Sequence, residues 1–323
     1  MKAVRIHENG GPEVLRYEEV PVPTPGAGEA LIKVEAIGVN FIDIYFRQGL
    51  YKTALPATLG QEAAGVVERL NGSDGELGAG DRVVYAGAQG SYAEYAVVPA
   101  SRLVKVPAGV DARSAAAAML QGMTAHYLAT STFRLESGHT ALIHAAAGGV
   151  GLLLVQMAKM RGARVFGTVS TEEKAKLARE AGADEVILYT SQDFEAEVKR
   201  LTGGTGVDVV YDAVARATWE KSLQSLRPRG MLVLYGNASG PAPAIDPLLL
   251  SQRGSLFLTR PKLGDYTATR QELLDRAGEV LGWVASSRLR LRIEHVFPLA
   301  EAAQAQEALA ARRTTGKILL IPS

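Results

Sequence analysis

Four residues near the middle of the chain, Gly148, Gly149, Val150 and Gly151, have the types and spacing of a phosphate-binding turn. They lie between an apolar run of strand length and an apolar run with helical spacing. A helix that begins directly after a strand exposes unpaired N–H groups and the positive end of its dipole, and both favour a phosphate. In a dinucleotide site the middle glycine admits the pyrophosphate and the last packs helix against strand. Gly148 and Gly151 hold these positions and Ala146 holds the first, although a tight turn that binds nothing is the alternative on this stretch alone.

The residues after the next apolar strand indicate which dinucleotide would bind. An NAD-selective site has a carboxylate at the tip of that strand, which accepts hydrogen bonds from the ribose. Here the strand ends without an acid, at Ser170, and Lys174 follows in the first turn of the next predicted helix. A hydroxyl and an ammonium suit a 2′-phosphate, which Tyr189 at the end of the third strand would cover. We therefore expect NADP rather than NAD, unless Lys174 is only a surface lysine paired with a neighbouring glutamate.

Composition excludes several classes of protein. The chain has 323 residues, 35 basic and 34 acidic, so no charge imbalance indicates a nucleic-acid or membrane-surface partner. It contains no cysteine, which excludes disulfides, thiolate metal sites and a cysteine nucleophile. It begins without a signal-peptide pattern, and no apolar run is long enough to cross a bilayer. We expect a soluble, cytoplasmic protein.

The elements that must position these residues fall into two groups. Residues 1 to about 110 contain short strands separated by Gly and Pro clusters, which predicts an antiparallel barrel or sandwich. Two pieces, FIDIYFRQGLY and LPATLGQ, interrupt it and are predicted to be irregular loops that line a cleft or contribute aromatic rings to the core. From about residue 111 helices alternate with six nearly continuous apolar strands, which predicts a doubly wound parallel α/β sheet.

The C-terminal tail returns to β-type composition, so we expect it to rejoin the first domain. The predicted boundaries are 1–120, rejoined by 265–323, for the β-rich domain and 121–264 for the nucleotide-binding domain.

The stretch from Gly138 to Lys159 resembles, position by position, the signature of the quinone oxidoreductase/zeta-crystallin family of the medium-chain dehydrogenase/reductase superfamily. Segments such as GVNFIDIYFRQGLY, VYDAV and SLFLTRP are similar to their counterparts in bacterial members, so the resemblance covers essentially the whole chain. It implies a six-stranded Rossmann domain that binds NADPH, inserted in a GroES-like catalytic domain. It also implies a homodimer formed through the edge strand 255–260.

The resemblance carries the family's cofactor contacts to matching positions. The nicotinamide end would be lined by residues that follow the first long strand and by one tyrosine near the ribose: Phe41, Ile42, Asp43, Tyr45 and Tyr127. The pyrophosphate would lie on the glycine turn, at Gly149 and Val150. Residues after later strands, and one arginine near the C-terminus, would close over the cofactor: Ala213, Val214, Asn237, Ala238, Phe257, Leu258 and Arg312, the last with its neighbour Arg313 as the alternative.

The positions that bind zinc in related alcohol dehydrogenases differ here. Those enzymes have a cysteine at the position of Asn40, a His-Glu pair at Gln61-Glu62 and a four-cysteine lobe that this chain lacks. The resemblance therefore implies a zinc-free enzyme that transfers hydride from NADPH directly to an electron-poor π-system. The candidate catalytic residues are Asn40, Tyr45, Tyr51 and Gln61. The two amides would hydrogen-bond a quinone oxygen as charge builds on it, or would only brace the loops.

Three functions are compatible with these residues. The first is an NADPH:quinone oxidoreductase. The second is an enone or enoyl reductase, which uses the same hydride donor with an α,β-unsaturated carbonyl substrate. The third is a non-catalytic NADPH-binding protein, structural or nucleic-acid binding, and the balanced charge argues against nucleic acid.

Overall fold

The computed structural model describes residues 1–72 and 75–322. The chain forms two compact units. Unit 1 comprises residues 1–123 and the segment from 266 to the C-terminus, and unit 2 comprises residues 124–265. Among the described residues, no helix combines the length and apolarity that a membrane span requires.

The strands of the described residues are, in chain order, β1 (Lys2–Ile6), β2 (Arg16–Glu19), β3 (Glu29–Val39), β4 (Ala57–Thr58), β5 (Glu62–Asn71), β6 (Arg82–Ala86), β7 (Tyr95–Pro99), β8 (Val104–Lys105), β9 (Thr140–Ile143), β10 (Arg164–Val169), β11 (Glu185–Leu188), β12 (Val207–Asp212), β13 (Leu226–Leu234), β14 (Phe257–Thr259), β15 (Ile293–Pro298) and β16 (Lys317–Ile321). The α-helices are α1 (Phe41–Arg47), α2 (Ala112–Tyr127), α3 (Gly149–Met160), α4 (Glu172–Glu180), α5 (Phe194–Leu201), α6 (Trp219–Gln224), α7 (Pro247–Gln252), α8 (Arg270–Ala285) and α9 (Ala302–Ala310).

Unit 1 is built on a seven-stranded sheet in the order β15-β16-β3-β5-β6-β8, with β7 also paired to β3. A smaller sheet has the order β2-β1-β4. The alternating side chains of the long strand β3 supply much of the core, which includes Ile32, Ile37 and Tyr85. The C-terminal strand β16 runs antiparallel to β3, with Ile318 opposite Val39. This pairing brings Lys317 next to the end of β3, where α1 begins.

Unit 2 contains the six-stranded parallel sheet that the sequence predicts, and this prediction is confirmed. Its order is β11-β10-β9-β12-β13-β14, and every neighbouring pair is parallel. The order reverses between β9 and β12. Because parallel crossovers are right-handed, this reversal places helices on both faces of the sheet and leaves a crevice at the carboxyl ends of β9 and β12.

One local prediction is wrong. The segment FIDIYFRQGLY is not irregular throughout, because Phe41–Arg47 form helix α1. The N–H of Asn40 donates to the Asp43 carboxylate at 2.8 Å, which satisfies a donor at the helix start. Helix α6 ends at Gln224, and β13 begins at Leu226. Pro228 has no N–H to donate to the carbonyl of Gln224, so the helix cannot continue through it.

Candidate active site

The turn between β9 and α3 has the geometry that its glycines predict. The N–H of Gly148 donates to Ala145 O at 2.8 Å, and the first bond into the helix is from Leu152 N–H to Gly148 O. A Cβ on Gly151 would lie 2.2 Å from Ala145 O, so a side chain cannot be accommodated there. The N–H groups between these bonds, from Gly149 to Gly151, have no intrahelical acceptor. They form a backbone donor set that suits a pyrophosphate.

The three residues assigned to a 2′-phosphate lie at one edge of the unit 2 sheet. Ser170 follows β10 and Tyr189 follows β11, and these strands pair directly, with Tyr189 N–H donating to Val169 O at 3.1 Å. Lys174 is in the first turn of α4, where its N–H donates to Thr171 Oγ1 at 3.3 Å. Glu172, one of the acids expected as an alternative partner for Lys174, pairs with Arg179 at 3.6 Å.

The loops after β12 and β13 are bonded to each other. Ala238 N–H donates to Ala213 O at 3.1 Å, and Ser239 N–H donates to Val214 O at 3.0 Å. With the Asn237 amide oriented so that its nitrogen donates to Gly236 O, its oxygen accepts from Arg260 at 3.2 Å. Four predicted cofactor residues therefore share the carboxyl edge of this sheet: Ala213, Val214, Asn237 and Ala238.

The other predicted cofactor residues have different positions. Phe257 and Leu258 pair with Met231 and Leu232 on β13, and Phe257 is 56% exposed. Tyr127 ends α2 and is buried. In unit 1, Arg312 follows α9 in the left-handed conformation, with φ 58°. Phe41 and Ile42, at the start of α1, are half-buried.

A buried cluster surrounds Asn40 in unit 1. Its Nδ2 donates to Gly38 O at 3.1 Å and to the Glu62 carboxylate at 2.9 Å. Its Oδ1 accepts from the Lys317 ammonium at 2.9 Å and from Gln121 at 3.3 Å. Both hydrogens and both lone pairs of the amide are thus used within the protein.

Lys317 and Glu62 form an ion pair at the centre of this cluster, with Nζ 2.5 Å from Oε2. The side chains are 3% and 0% exposed. The second Glu62 oxygen accepts from Leu120 N–H. Sequence reasoning named Glu62 only through its neighbour Gln61, and it missed Lys317, which is 255 residues away in the chain. A Cβ on Gly38 would lie 2.1 Å from the Glu62 carboxylate, so the glycine leaves the space that the pair fills.

Asp43 is fully buried in a second set of bonds that begins at the same helix. Its carboxylate accepts from Asn40 N–H and from Tyr92 OH, the latter at 3.0 Å. Gln306 in turn donates to Tyr92 OH and accepts from Arg47 at 2.8 Å. Burial raises the pKa of Asp43 to about 7, against the lowering effect of its two hydrogen bonds.

The remaining candidate residues lie beside these clusters. The Tyr45 and Tyr51 rings contact edge to face with centroids 5.5 Å apart, and Phe46 contacts Tyr51 in the same way at 5.7 Å. Gln61 is 6% exposed. Across residues 1–72 and 75–322 its side-chain amide makes no hydrogen bond, unlike that of Asn40.

Comparisons with known proteins agree with both units. Residues 26–108 match the family model described as alcohol dehydrogenase GroES-like domain, and residues 149–275 match the one described as zinc-binding dehydrogenase. The chain is 47% identical to the quinone oxidoreductase of Pseudomonas aeruginosa over 323 residues, which cover 99% of both proteins. This chain belongs to the quinone oxidoreductase family. The sequence prediction of the family is therefore confirmed.

Two further relatives bear on the cofactor and the substrate. The structure of Escherichia coli quinone oxidoreductase complexed with NADPH matches all of both chains at 42% identity, with a TM-score of 0.97. The 2-haloacrylate reductase of a Burkholderia species is 43% identical and covers 99% of this chain and 98% of its own length.

The name of one family model implies zinc, and the residues here do not fit it. Asn40 directs its oxygen at the ammonium of Lys317, which would repel a metal cation. The chain has no cysteine, and among the described residues no three His, Asp or Glu side chains lie close enough to hold a metal ion.

Proposed function

We propose that this chain is an NADPH-dependent quinone oxidoreductase that transfers hydride directly to its substrate, without a metal. The observation that carries the proposal is the Lys317 ammonium bonded to Asn40, at the position where zinc enzymes of this fold hold their metal. A site without a Lewis acid suits an acceptor that is already electron-poor, and a quinone is such an acceptor. The full-length similarity to proteins named quinone oxidoreductase supports the same function.

The carboxyl edge of the unit 2 sheet is the proposed NADPH site. Bound NADPH supplies the hydride, and the protein binds and orients it. The free N–H groups from Gly149 to Gly151 receive the pyrophosphate. Ser170, Lys174 and Tyr189 receive the 2′-phosphate, and the absence of an acid at the tip of β10 favours that group over a bare ribose.

In unit 1, the residues around α1 are the proposed substrate-binding residues. Gln61, whose amide makes no bond within the described protein, donates a hydrogen bond to the substrate oxygen as negative charge develops there. Asn40 has no hydrogen left to donate, so it acts as a positioning residue at the start of α1. Tyr45 and Tyr51 supply flat aromatic surfaces for a planar substrate.

A second candidate function is the reduction of an activated carbon–carbon double bond. The 2-haloacrylate reductase at 43% identity favours it, because haloacrylate is an electron-poor alkene. The two functions share the hydride donor and differ in the group that receives the hydride.

The test compares acceptors with NADPH as the common donor. Initial rates are measured with benzoquinone, phenanthrenequinone, a simple enone and chloroacrylate. We expect the quinones to have the highest kcat/KM. Turnover of the enone or chloroacrylate alone would replace the first function with the second, and NADPH binding without any turnover would favour a non-catalytic protein.

We also propose a homodimer formed through β14. This strand is at the edge of its sheet, and its Phe257 is 56% exposed. Leu248, on the preceding helix α7, is 58% exposed. An apolar sheet edge with open hydrogen-bonding groups is suited to pairing with a second copy of itself.

A further inference from the structure

A line of buried hydrogen bonds in unit 2 joins the two strands on either side of the crevice. His144 follows β9 directly, and Asp212 ends β12 beside it. Their side chains are buried, at 1% and 0% exposure. Ser222 of α6 lies between them, with Oγ 3.0 Å from His144 Nε2 and 2.9 Å from the Asp212 carboxylate. On the other side of the ring, Thr168 Oγ1 is 2.8 Å from His144 Nδ1.

The carboxylate determines where each proton lies along this line. A carboxylate only accepts, so the Ser222 hydroxyl donates to Asp212. The Ser222 oxygen then accepts from His144, which requires the proton on Nε2. Nδ1 is therefore an acceptor for the hydroxyl of Thr168. Burial lowers the pKa of His144, which keeps the ring in this neutral form.

Asp212 also holds the segment that follows β12, residues 213–218, which we call the β12 loop. Its Oδ1 accepts from Val214 N–H at 2.7 Å and from Ala215 N–H at 2.9 Å. Its Oδ2 accepts from Thr218 Oγ1 at 2.7 Å. Ala215 has φ 67°, a conformation that alanine adopts only where neighbouring bonds enforce it.

The other end of the line adjoins the glycine turn. Ala145, the residue after His144, has φ 53° and begins that turn. The neighbouring strand β10 is bonded to the same turn, because Ala146 N–H donates to Thr168 O at 3.1 Å. The line thus connects the start of the glycine turn with the β12 loop through the buried side chains of His144, Ser222 and Asp212.

We propose that His144, Ser222 and Asp212 are positioning residues that hold the β12 loop in register with the glycine turn for NADPH binding. The inference rests on the proposed function, since both segments are proposed to contact that cofactor. Loss of the line lets the β12 loop move relative to the turn. NADPH affinity then falls, while the chemistry at saturating NADPH is unchanged.

The experiment compares Ser222→Ala with Ser225→Ala. Both serines are fully buried and adjoin the same helix, but the Ser225 hydroxyl donates only to Lys221 O. Thermal stability, the Kd of NADPH from fluorescence titration, and kcat are measured for each variant and for the unmodified protein. We expect both variants to lose similar stability. Ser222→Ala should weaken NADPH binding about tenfold, because it leaves His144 Nε2–H without an acceptor, and Ser225→Ala by less than about twofold.

A second measurement determines the protonation form of His144 in the protein without cofactor. A ¹⁵N-resolved NMR spectrum should show His144 as the neutral Nε2–H form, unchanged across the neutral pH range. An Nδ1–H form, a charged His144, or equal NADPH affinity in the two serine variants would overturn the inference. Failure of the unmodified protein to bind NADPH would instead overturn the proposed function, and this inference with it.

Discussion

Replacement of Lys317 by methionine tests whether the buried ion pair holds the Asn40 cluster together. Methionine keeps the length and packing of the lysine stem but removes the charge that lies 2.5 Å from Glu62 and 2.9 Å from Asn40. The Glu62 carboxylate, at 0% exposure, would keep its bonds from Asn40 and Leu120 but would have no counter-charge.

The expected cost follows from that burial. Removing one partner of a fully buried pair costs about 3–5 kcal/mol, because it leaves an uncompensated charge in the interior. The control is Lys105→Met. Lys105 pairs with Asp81 at 2.9 Å, but the two side chains are 56% and 32% exposed. Water screens such an exposed pair, so its loss should cost much less than the loss of the buried pair.

The assay is urea unfolding followed by the fluorescence of Trp283, which is in unit 1. A Trp219→Phe background removes the tryptophan of unit 2. Glu62→Gln and the double variant complete a mutant cycle, for which we expect a coupling of about 2–3 kcal/mol. A Lys317→Met cost no larger than that of Lys105→Met, or additive effects in the cycle, would refute the reasoning.

Four further predictions concern the cofactor, the buried acid, the substrate and the dimer. Lys174→Ala should raise the KM for NADPH about tenfold more than the KM for NADH, and Lys176→Ala, on the same helix, should change neither. Asp43 has a pKa of about 7 in the folded protein against 3.8 for the ordinary group, so between these two pH values the folded protein keeps a proton that the unfolded chain has lost. The free energy of unfolding should therefore fall by about 4 kcal/mol as the pH rises from the ordinary pKa to the folded pKa, and it should stay level at higher pH. Asp43→Asn should remove this pH dependence in urea titrations. Gln61→Met should lower kcat for quinones about tenfold without changing NADPH affinity, and an unchanged kcat would remove Gln61 from the mechanism. Phe257→Glu should convert a dimer to a monomer in sedimentation velocity, and an unchanged oligomer would place the interface elsewhere.

The sheet of unit 2 could be predicted from the sequence because its central strands are buried on both faces. They are nearly continuous apolar runs, such as Thr140–Ile143, and they alternate with helices along the chain. The glycine turn was predicted for a similar reason, since the close contact of Gly151 with Ala145 requires glycine. These features depend on residues that are near one another in the chain.

The clusters of unit 1 could not be predicted in this way. The Lys317–Glu62 pair joins residues 255 positions apart, and nothing local to KILLIPS distinguishes a buried lysine from an exposed one. Helix α1 is only seven residues long, too short for a clear helical period. The local sequence feature that marks the start of this helix is the spacing of Asn40 and Asp43, which matches an N-cap residue and its N3 partner. The sequence alone assigns no partners to His144, because the positions of Ser222 and Asp212 are known only from the fold.

Metal-free hydride transfer from NADPH is tested by the oxidation of NADPH by phenanthrenequinone, using protein that has been dialysed against a metal chelator. The loss of reduced-nicotinamide absorbance is followed in parallel with NADPH and with NADH. A metal-free, NADPH-selective enzyme should retain full turnover after chelation and should have a much higher kcat/KM for NADPH than for NADH. Loss of turnover on chelation would show that a metal is required, and equal kcat/KM for the two donors would exclude selectivity for the 2′-phosphate.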